Sequence, residues 1–138
     1  KEGIEPVGMV FPKLGIINGA AFIKDKAVAI SGGGVVIQNP PGKPQTTLGE
    51  PLRIEGISLS GKPTVFGDRM YVANRMKGTV TALDIGDLKK TVKVWQLALT
   101  GNPGLVRENR DMVIIPDGHG GLELFKRSDG TPYYGNFP

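Results

Sequence analysis

A similar stretch of eleven residues occurs three times in this chain, and its spacing constrains the fold more than any other feature. The copies span residues 21–31, 64–74 and 106–116. With the third copy shifted by one residue, they place Asp25, Asp68 and Asn109 in register, at spacings of 43 and 41 residues. A period near 40 residues, with several short apolar runs in each copy, is typical of the four-stranded blades of a β-propeller. The sequence therefore predicts an all-β chain built from blades of four antiparallel strands.

Three blade equivalents account for most of the chain, which we treat as a single propeller segment over residues 1–138. Alternating apolar and polar residues, with turn residues between the runs, mark the strands. The predicted first blade, 19–57, has strands A to D at 20–23, 27–30, 35–38 and 51–55. The second blade, 62–98, has them at 63–67, 69–74, 79–84 and 92–97. The last blade has strands A to C only, at 104–107, 112–115 and 122–126 within 103–126, and a tail follows at 127–138.

The two ends of the chain predict how the propeller ring closes. Residues 5–12 resemble residues 50–57, so the N-terminal segment is predicted to be a strand D without a blade of its own. An unpaired strand edge exposes unmet N–H and C=O groups, which favours closure by another strand. Three blades are too few for a ring, because propellers have about four to eight. We therefore expect a homo-oligomer, most simply a twofold dimer of about six blades, or a companion chain that completes the propeller.

Composition excludes several classes of site and partner. The chain has no cysteine, which excludes disulfides, iron–sulfur clusters and zinc–thiolate sites and is compatible with reducing and oxidising compartments. Its 17 basic and 13 acidic residues are interspersed, so the net charge of +4 predicts a solvated surface rather than nucleic-acid binding. No apolar run reaches the roughly 18 residues of a membrane helix, so no membrane partner is expected. Lys1 as first residue indicates that upstream sequence was removed, which could be a signal peptide, a propeptide or another segment. The compartment stays open, and a secreted or periplasmic protein is favoured.

Two segments also resemble a known group of repeats. The stretch MYVANRMKGTVTALDIGDLKKTVKVWQL, residues 70–97, resembles the YVTN-type and LVIVD-type propeller repeats, and MVIIPDGHGGLELF, residues 112–125, is similar to the same segment. In those repeats an apolar strand is followed by a glycine turn, a Val/Leu-rich strand ending in Asp and a further outer strand. The resemblance implies a propeller fold. It leaves the activity open, because such repeats occur in enzymes, surface proteins and other modules.

One face of the predicted propeller collects residues that could bind a ligand, because the B to C turns and the D to A connections lie there around the axis. The candidates are His119, Asp117, Arg75, Lys77, Asn102 and Arg107. Their positive charge favours a small anionic ligand, with a sugar as the alternative. Basic residues also keep turns solvated without binding anything, and Asp117 in a Pro-Asp-Gly sequence is also expected as a turn acceptor.

The aromatic residues predict packing rather than chemistry. Trp95 and Tyr71 lie in predicted strands, where core or inter-blade packing is favoured over a platform for sugar stacking. Tyr133, Tyr134 and Phe137 in the tail are expected to pack on a neighbouring blade or chain, and the alternative is a disordered terminus.

No chemical signature identifies an enzyme. GxSxG, HExxH, P-loop and DxDxDG calcium-loop patterns are missing from the sequence, and the triple glycine at 32–34 predicts a hairpin turn rather than a dinucleotide site. We expect no cofactor and no metal site. The leading hypothesis is a non-catalytic propeller module that binds a protein or small ligand. The alternatives are part of a larger propeller enzyme, such as a hydrolase, lyase or oxidoreductase, and a lectin-like oligomer.

Overall fold

The computed structural model describes residues 17–23, 26–31, 34–38, 52–53 and 59–134, which form three antiparallel sheets. Sheet one consists of β1 (Ile17–Ile23), β2 (Lys26–Ser31), β3 (Gly34–Gln38) and β4 (Leu52–Arg53). Sheet two consists of β5 (Lys62–Phe66), β6 (Arg69–Asn74), β7 (Thr79–Asp84) and β8 (Val92–Ala98). Sheet three consists of β9 (Arg107–Asn109), β10 (Met112–Pro116) and β11 (Leu122–Lys126). The described part also has 3-10 turns at Leu88–Lys90 and Gly118–Gly120, and none of its helices is long and apolar enough to cross a membrane.

The strands of sheet two lie where the sequence predicts them. β6 and β7 match the predicted bounds, and β5 and β8 differ by one residue at their ends. The β5–β6 hairpin turns at Gly67, whose φ of +56° lies in the left-handed region that glycine adopts without strain. In the β6–β7 turn, Asn74 Oδ1 accepts a hydrogen bond from Lys77 N at 3.0 Å. Apolar alternation and turn residues together specify this sheet.

Sheet three departs from prediction at its first strand, whereas in sheet one β4, Leu52–Arg53, is the described part of the strand predicted at 51–55. The first strand of sheet three is β9, three residues beyond the predicted start at Gly104. Gly104 N does donate to Pro116 O at 2.7 Å, but the ladder with β10 begins only where Arg107 lies opposite Ile114. The connection before β9 is fixed instead by burial of the Val106 side chain.

The structure corrects the repeat spacing of the third copy. β2, β6 and β10 begin at Lys26, Arg69 and Met112, which places the three copies at two equal intervals of 43 residues. The residue equivalent to Asp68 is therefore Asp111 and not Asn109. The hairpin turns agree with this alignment, because Arg110 has a φ of +48° where Gly67 has +56°.

The sheets pack face to face through two apolar cores. β6 contributes to both cores because its side chains alternate between its two faces. The first core, between sheets one and two, contains Ile23, Val28, Ile30, Leu59, Met70, Val72, Leu83 and Ile85. The second core, between sheets two and three, contains Tyr71, Ala73, Val80, Ala82, Trp95, Val106, Val113, Ile115 and Phe125. Sheet two is covered on both faces, whereas the described residues cover sheets one and three on one face each.

The segment after β11 occupies part of the outer edge of sheet three, which was not predicted. Phe125 and Pro132 form an isolated antiparallel bridge, flanked by hydrogen bonds from Lys126 N to Thr131 O at 2.7 Å and from Tyr133 N to Leu124 O at 2.9 Å. The chain thus supplies a short fourth partner for its own last sheet. The strand D predicted at residues 5–12 lies outside the described residues, and its pairing stays a prediction.

Candidate functional site

Most of the predicted ligand-binding residues lie at one end of sheets two and three, which we call the loop end. It consists of the β6–β7 turn at 75–78, the connection at 99–104 and the β10–β11 loop at 117–121. Leu99 N donates to Gly78 O at 2.7 Å, and Asn102 N donates to Asp117 O at 3.1 Å. The connection therefore lies between the two loops and joins them.

Asp117 is buried at the centre of the loop end and acts as a structural acceptor. The sequence predicted that its side chain accepts a hydrogen bond within its own turn. In the structure, Oδ2 instead accepts from Gly101 N in the neighbouring connection, at 2.8 Å. A side chain at Gly101 would place Cβ 1.8 Å from Asp117 O, and one at Gly120 would place it 2.3 Å from Asp117 Oδ2. The backbone can approach the carboxylate this closely only because both neighbours are glycines. Its full burial makes Asp117 unsuited to direct contact with a ligand.

The other candidates divide into two groups. Arg75, Lys77, Asn102 and His119 are exposed at the loop end, where two of them bring positive charge. Arg107 lies elsewhere: it belongs to β9, opposite Ile114, and projects from the face of sheet three that points away from sheet two. Within the described residues, no three His, Cys, Asp or Glu side chains approach closely enough to hold a metal ion. The loop end can thus offer cationic and amide groups to an anionic or polar ligand.

A second polar cluster, which we call the interface network, joins sheets two and three at the opposite end. The Tyr71 hydroxyl donates to Glu108 Oε2. Arg127 donates from Nε to Glu108 Oε1 at 3.0 Å and from Nη2 to Asp68 Oδ1 at 2.5 Å. Trp95 Nε1 donates to Arg127 O at 3.1 Å. The Tyr71–Glu108, Arg127–Asp68 and Trp95–Arg127 contacts cross from one sheet to the other, and the Arg127–Glu108 pair joins them on the side of sheet three, so the network fixes how the two sheets sit.

Electrostatics of the interface network follow from burial and pairing. Burial of Tyr71, with the Glu108 carboxylate beside it, raises the pKa of its hydroxyl well above the usual range, so the group stays protonated and donates. The hydrogen bond from Arg127 lowers the pKa of Asp68, which favours the carboxylate form. Burial opposes the charge of Arg127, but its bonds to Glu108 and Asp68 outweigh burial and raise its pKa. Tyr71, Asp68 and Arg127 therefore keep the protonation states that their hydrogen bonds require.

Sequence reasoning placed Tyr71 and Trp95 correctly in packing between sheets, but it missed their polar partners. Tyr71 and Trp95 lie 5.6 Å apart between ring centroids, and Phe66 lies 6.3 Å from Tyr71. Glu108 is 37 residues from Tyr71 in sequence, and Arg127 is 59 residues from Asp68. No local pattern links residues so far apart. The only signal in the sequence was the acidic Glu108 in a short polar stretch.

Among the described residues, two sheet faces are left open at the ends of the stack. On the outer face of sheet three, strand register brings together Arg107, Asn109, Met112, Ile114, Leu122, Leu124 and Lys126. Leu122 is 64% exposed there. A cleft of about 440 Å³ lies at the β9–β10 turn end of this face, lined among the described residues by Asn109, Arg110, Asp111, Met112 and Tyr133. On the open face of sheet one, Phe22 is 71% exposed. Apolar side chains at both ends of one stack are typical of interaction surfaces.

Solved structures share this fold. The computationally designed Ika4 protein matches with a TM-score of 0.62 and 14% identity, over 98% of this chain and 80% of its own. BamB from Moraxella catarrhalis matches with a TM-score of 0.55 and 20% identity, over 86% of this chain and 36% of its own. The designed Ika8 protein matches with a TM-score of 0.57 and 14% identity, over 84% and 35%. The chain thus spans about a third of BamB and of Ika8. No family model and no curated protein matches its sequence.

These neighbours are β-propeller-like, and at such identities they establish the fold alone. The described part of the chain has an all-β, propeller-like architecture of three antiparallel sheets, as the repeats predicted. The comparisons leave the YVTN/LVIVD resemblance as a prediction.

Proposed function

We propose that this chain is a non-catalytic, propeller-type binding module that completes its ring by associating with a second copy. The observation that supports this proposal is the contrast between the covered and open faces of the sheets. Sheet two buries apolar side chains on both faces, whereas Phe22 and Leu122 are exposed at the two ends of the stack. Burying such side chains against another sheet is favourable by about 1.5–3 kcal/mol for each large one.

Closure through these faces has a simple geometry. A twofold pair of chains would bring each sheet three against the sheet one of the other copy, and about six sheets would form a ring of ordinary size. The residues at 131–133 already pair with part of the outer edge of β11. We therefore place the association in face-to-face packing of sheets, to which an exchanged strand at 5–12 would be an addition.

The loop end is the proposed ligand surface of the assembled module. Arg75 and Lys77 lie on one side of the 99–104 connection and His119 on the other, so a small anion or a sugar could contact several of them at once. Titration with inorganic phosphate, followed by amide chemical shifts, tests this. We expect shifts at the loop end that are reduced in Arg75→Ala and unchanged in Lys89→Ala, which removes an equal charge from the Leu88–Lys90 turn; equal loss in both variants would contradict a specific site.

Light scattering coupled to size-exclusion chromatography tests the association. The chain has a mass of 14.7 kDa, and we expect a species of twice that mass that persists on dilution to low micromolar concentration. A monodisperse monomer over the same range would overturn self-association and leave only the loop-end proposal.

The alternative of a piece of a larger propeller is favoured by one observation, the coverage of 36% and 35% of two of the matched structures. In that case the open faces would pack on further sheets of the same polypeptide, and the 14.7 kDa chain would be a monomer or would aggregate without a defined stoichiometry. A lectin-like oligomer with repeated sites is less favoured, because the β6–β7 and β10–β11 turns differ in length and composition.

A further inference from the structure

Both internal interfaces contain the same pair of repeat positions. With the 43-residue interval, Val28, Tyr71 and Ile114 occupy equivalent positions on the second strand of each sheet. Phe22, Val65 and Glu108 occupy equivalent positions on the first strand. Between sheets two and three, Tyr71 contacts Glu108 through its hydroxyl. Between sheets one and two, Val28 lies in the first core and Val65 packs against that core.

The remaining residues at these two repeat positions are Ile114 and Phe22, and they lie on the two open faces. Ile114 is on the outer face of sheet three, half-buried. Phe22 is on the open face of sheet one and largely exposed. Because both internal interfaces follow one rule, a third interface of the same kind would join these two residues. The described part of the chain contains both halves of that interface on different ends of the stack, so a second copy can complete it.

We infer that the partner at the outer face of sheet three is the sheet one of a second copy, with its Phe22 packed on Ile114. This inference rests on the proposed self-association and specifies its contacts. Met112 and Leu124 flank Ile114 on the same face, and the cleft of about 440 Å³ beside Met112 offers room for an aromatic ring. Arg107 lies opposite Ile114 in register, where its guanidinium can approach the ring face of Phe22. The face thus suits an aromatic anchor.

The absence of cysteine permits a direct test by engineered disulfides. The double variant Phe22→Cys/Ile114→Cys is oxidised under mild conditions, and the products are measured by intact mass without reductant. Sheets one and three flank sheet two, so the two thiols of one chain are too far apart to bond, since bridged Cα atoms lie about 4.4–6.8 Å apart. We expect a disulfide-linked dimer.

Single variants and a matched control distinguish the docking mode. Phe22→Cys alone and Ile114→Cys alone should remain unlinked, whereas an equal mixture of the two should give one linked heterodimer. The control pairs Phe22→Cys with Met76→Cys, because Met76 is exposed at the loop end and measures random collision. Linkage of the Phe22/Ile114 pair should exceed the control by at least about tenfold, since docked thiols are held at high effective concentration. Circular dichroism of each variant confirms folding.

The outcomes separate this inference from the proposed function. A wild-type dimer in light scattering without Phe22–Ile114 linkage would overturn the docking mode and leave self-association standing. Ready linkage of Phe22→Cys to itself would also overturn it, because that result requires two copies of sheet one to face each other. A wild-type monomer with no linkage would overturn both.

Discussion

The two internal interfaces of this molecule have one geometry and two chemistries. Sheets one and two meet through aliphatic side chains, among them Val28, Ile30 and Met70. Sheets two and three meet through aromatic rings and the interface network, in which Tyr71 and Arg127 share the Glu108 carboxylate. Aliphatic packing tolerates small shifts, whereas a shared carboxylate is satisfied in one arrangement only. The comparison suggests that the second interface sets the angle between neighbouring sheets and the first mainly contributes burial.

The largest expected effect compares two neighbours on β6 that face opposite interfaces. Tyr71→Ala should lower the free energy of unfolding by about 4 kcal/mol, because it removes a fully buried ring and leaves Glu108 without one donor. Met70→Ala, equally buried in the first interface, should cost about 3 kcal/mol. Urea unfolding followed by circular dichroism measures both.

The difference between these variants tests the assignment of roles. In Tyr71→Ala the amide shifts of sheet three should change broadly, because the contact that orients sheet three is lost. In Met70→Ala the changes should stay near the first core. A larger destabilisation by Met70→Ala, with sheet three unchanged in Tyr71→Ala, would show that burial alone orders the stack.

The sequence predicts the strands better than it predicts the contacts between sheets. β6 and β7 were predictable to the residue because apolar alternation and the Asn74 and Gly78 turn residues agree. β9 was misplaced because Arg107, Glu108 and Asn109 are polar, and only their places in the three-dimensional stack make them a strand.

The candidate site was predictable to a similar degree. Four candidates are exposed at the loop end, since turns that alternate along the chain meet at one end of a sheet. The partner of Asp117 could not be predicted, because the N–H that its side chain accepts belongs to Gly101, 16 residues away. The open faces were beyond prediction for a similar reason, because exposure of Phe22 depends on what the rest of the chain covers.

A smaller effect is expected at alkaline pH and depends on the second interface alone. The pKa of Tyr71 is raised above its ordinary 10.0, so above pH 10 the unfolded chain releases this proton while the folded chain retains it. Stability contributed by Tyr71 is therefore complete below pH 10 and is lost as pH rises, by at most about 1.4 kcal/mol for each pH unit. Unfolding of wild type and Tyr71→Phe should be compared from pH 8 to 11.5.

Measurements on the same two proteins at pH 8 to 9 are the control for the alkaline experiment. The advantage of wild type over Tyr71→Phe should be constant from pH 8 to 9, where tyrosine is protonated in both states, and should shrink above pH 10. Lysine titration is common to both proteins and cancels in the difference. An advantage that stays constant to pH 11.5 would show that the hydroxyl of Tyr71 is not held in its neutral form by the interface.

The smallest effect is expected at the exposed rim of the second interface. Asp68 bonds to Arg127, but its side chain is 57% exposed, so Asp68→Asn should lower the free energy of unfolding at pH 7 by less than about 1 kcal/mol. Because the pKa of Asp68 is lowered in the folded state, its contribution is complete above about pH 4 and is lost as pH falls further. The difference between wild type and variant should therefore shrink as pH falls below about 4 and as salt is added. A loss as large as that of Tyr71→Ala would mean that the rim, rather than the buried Tyr71–Glu108–Arg127 contacts, orients sheet three.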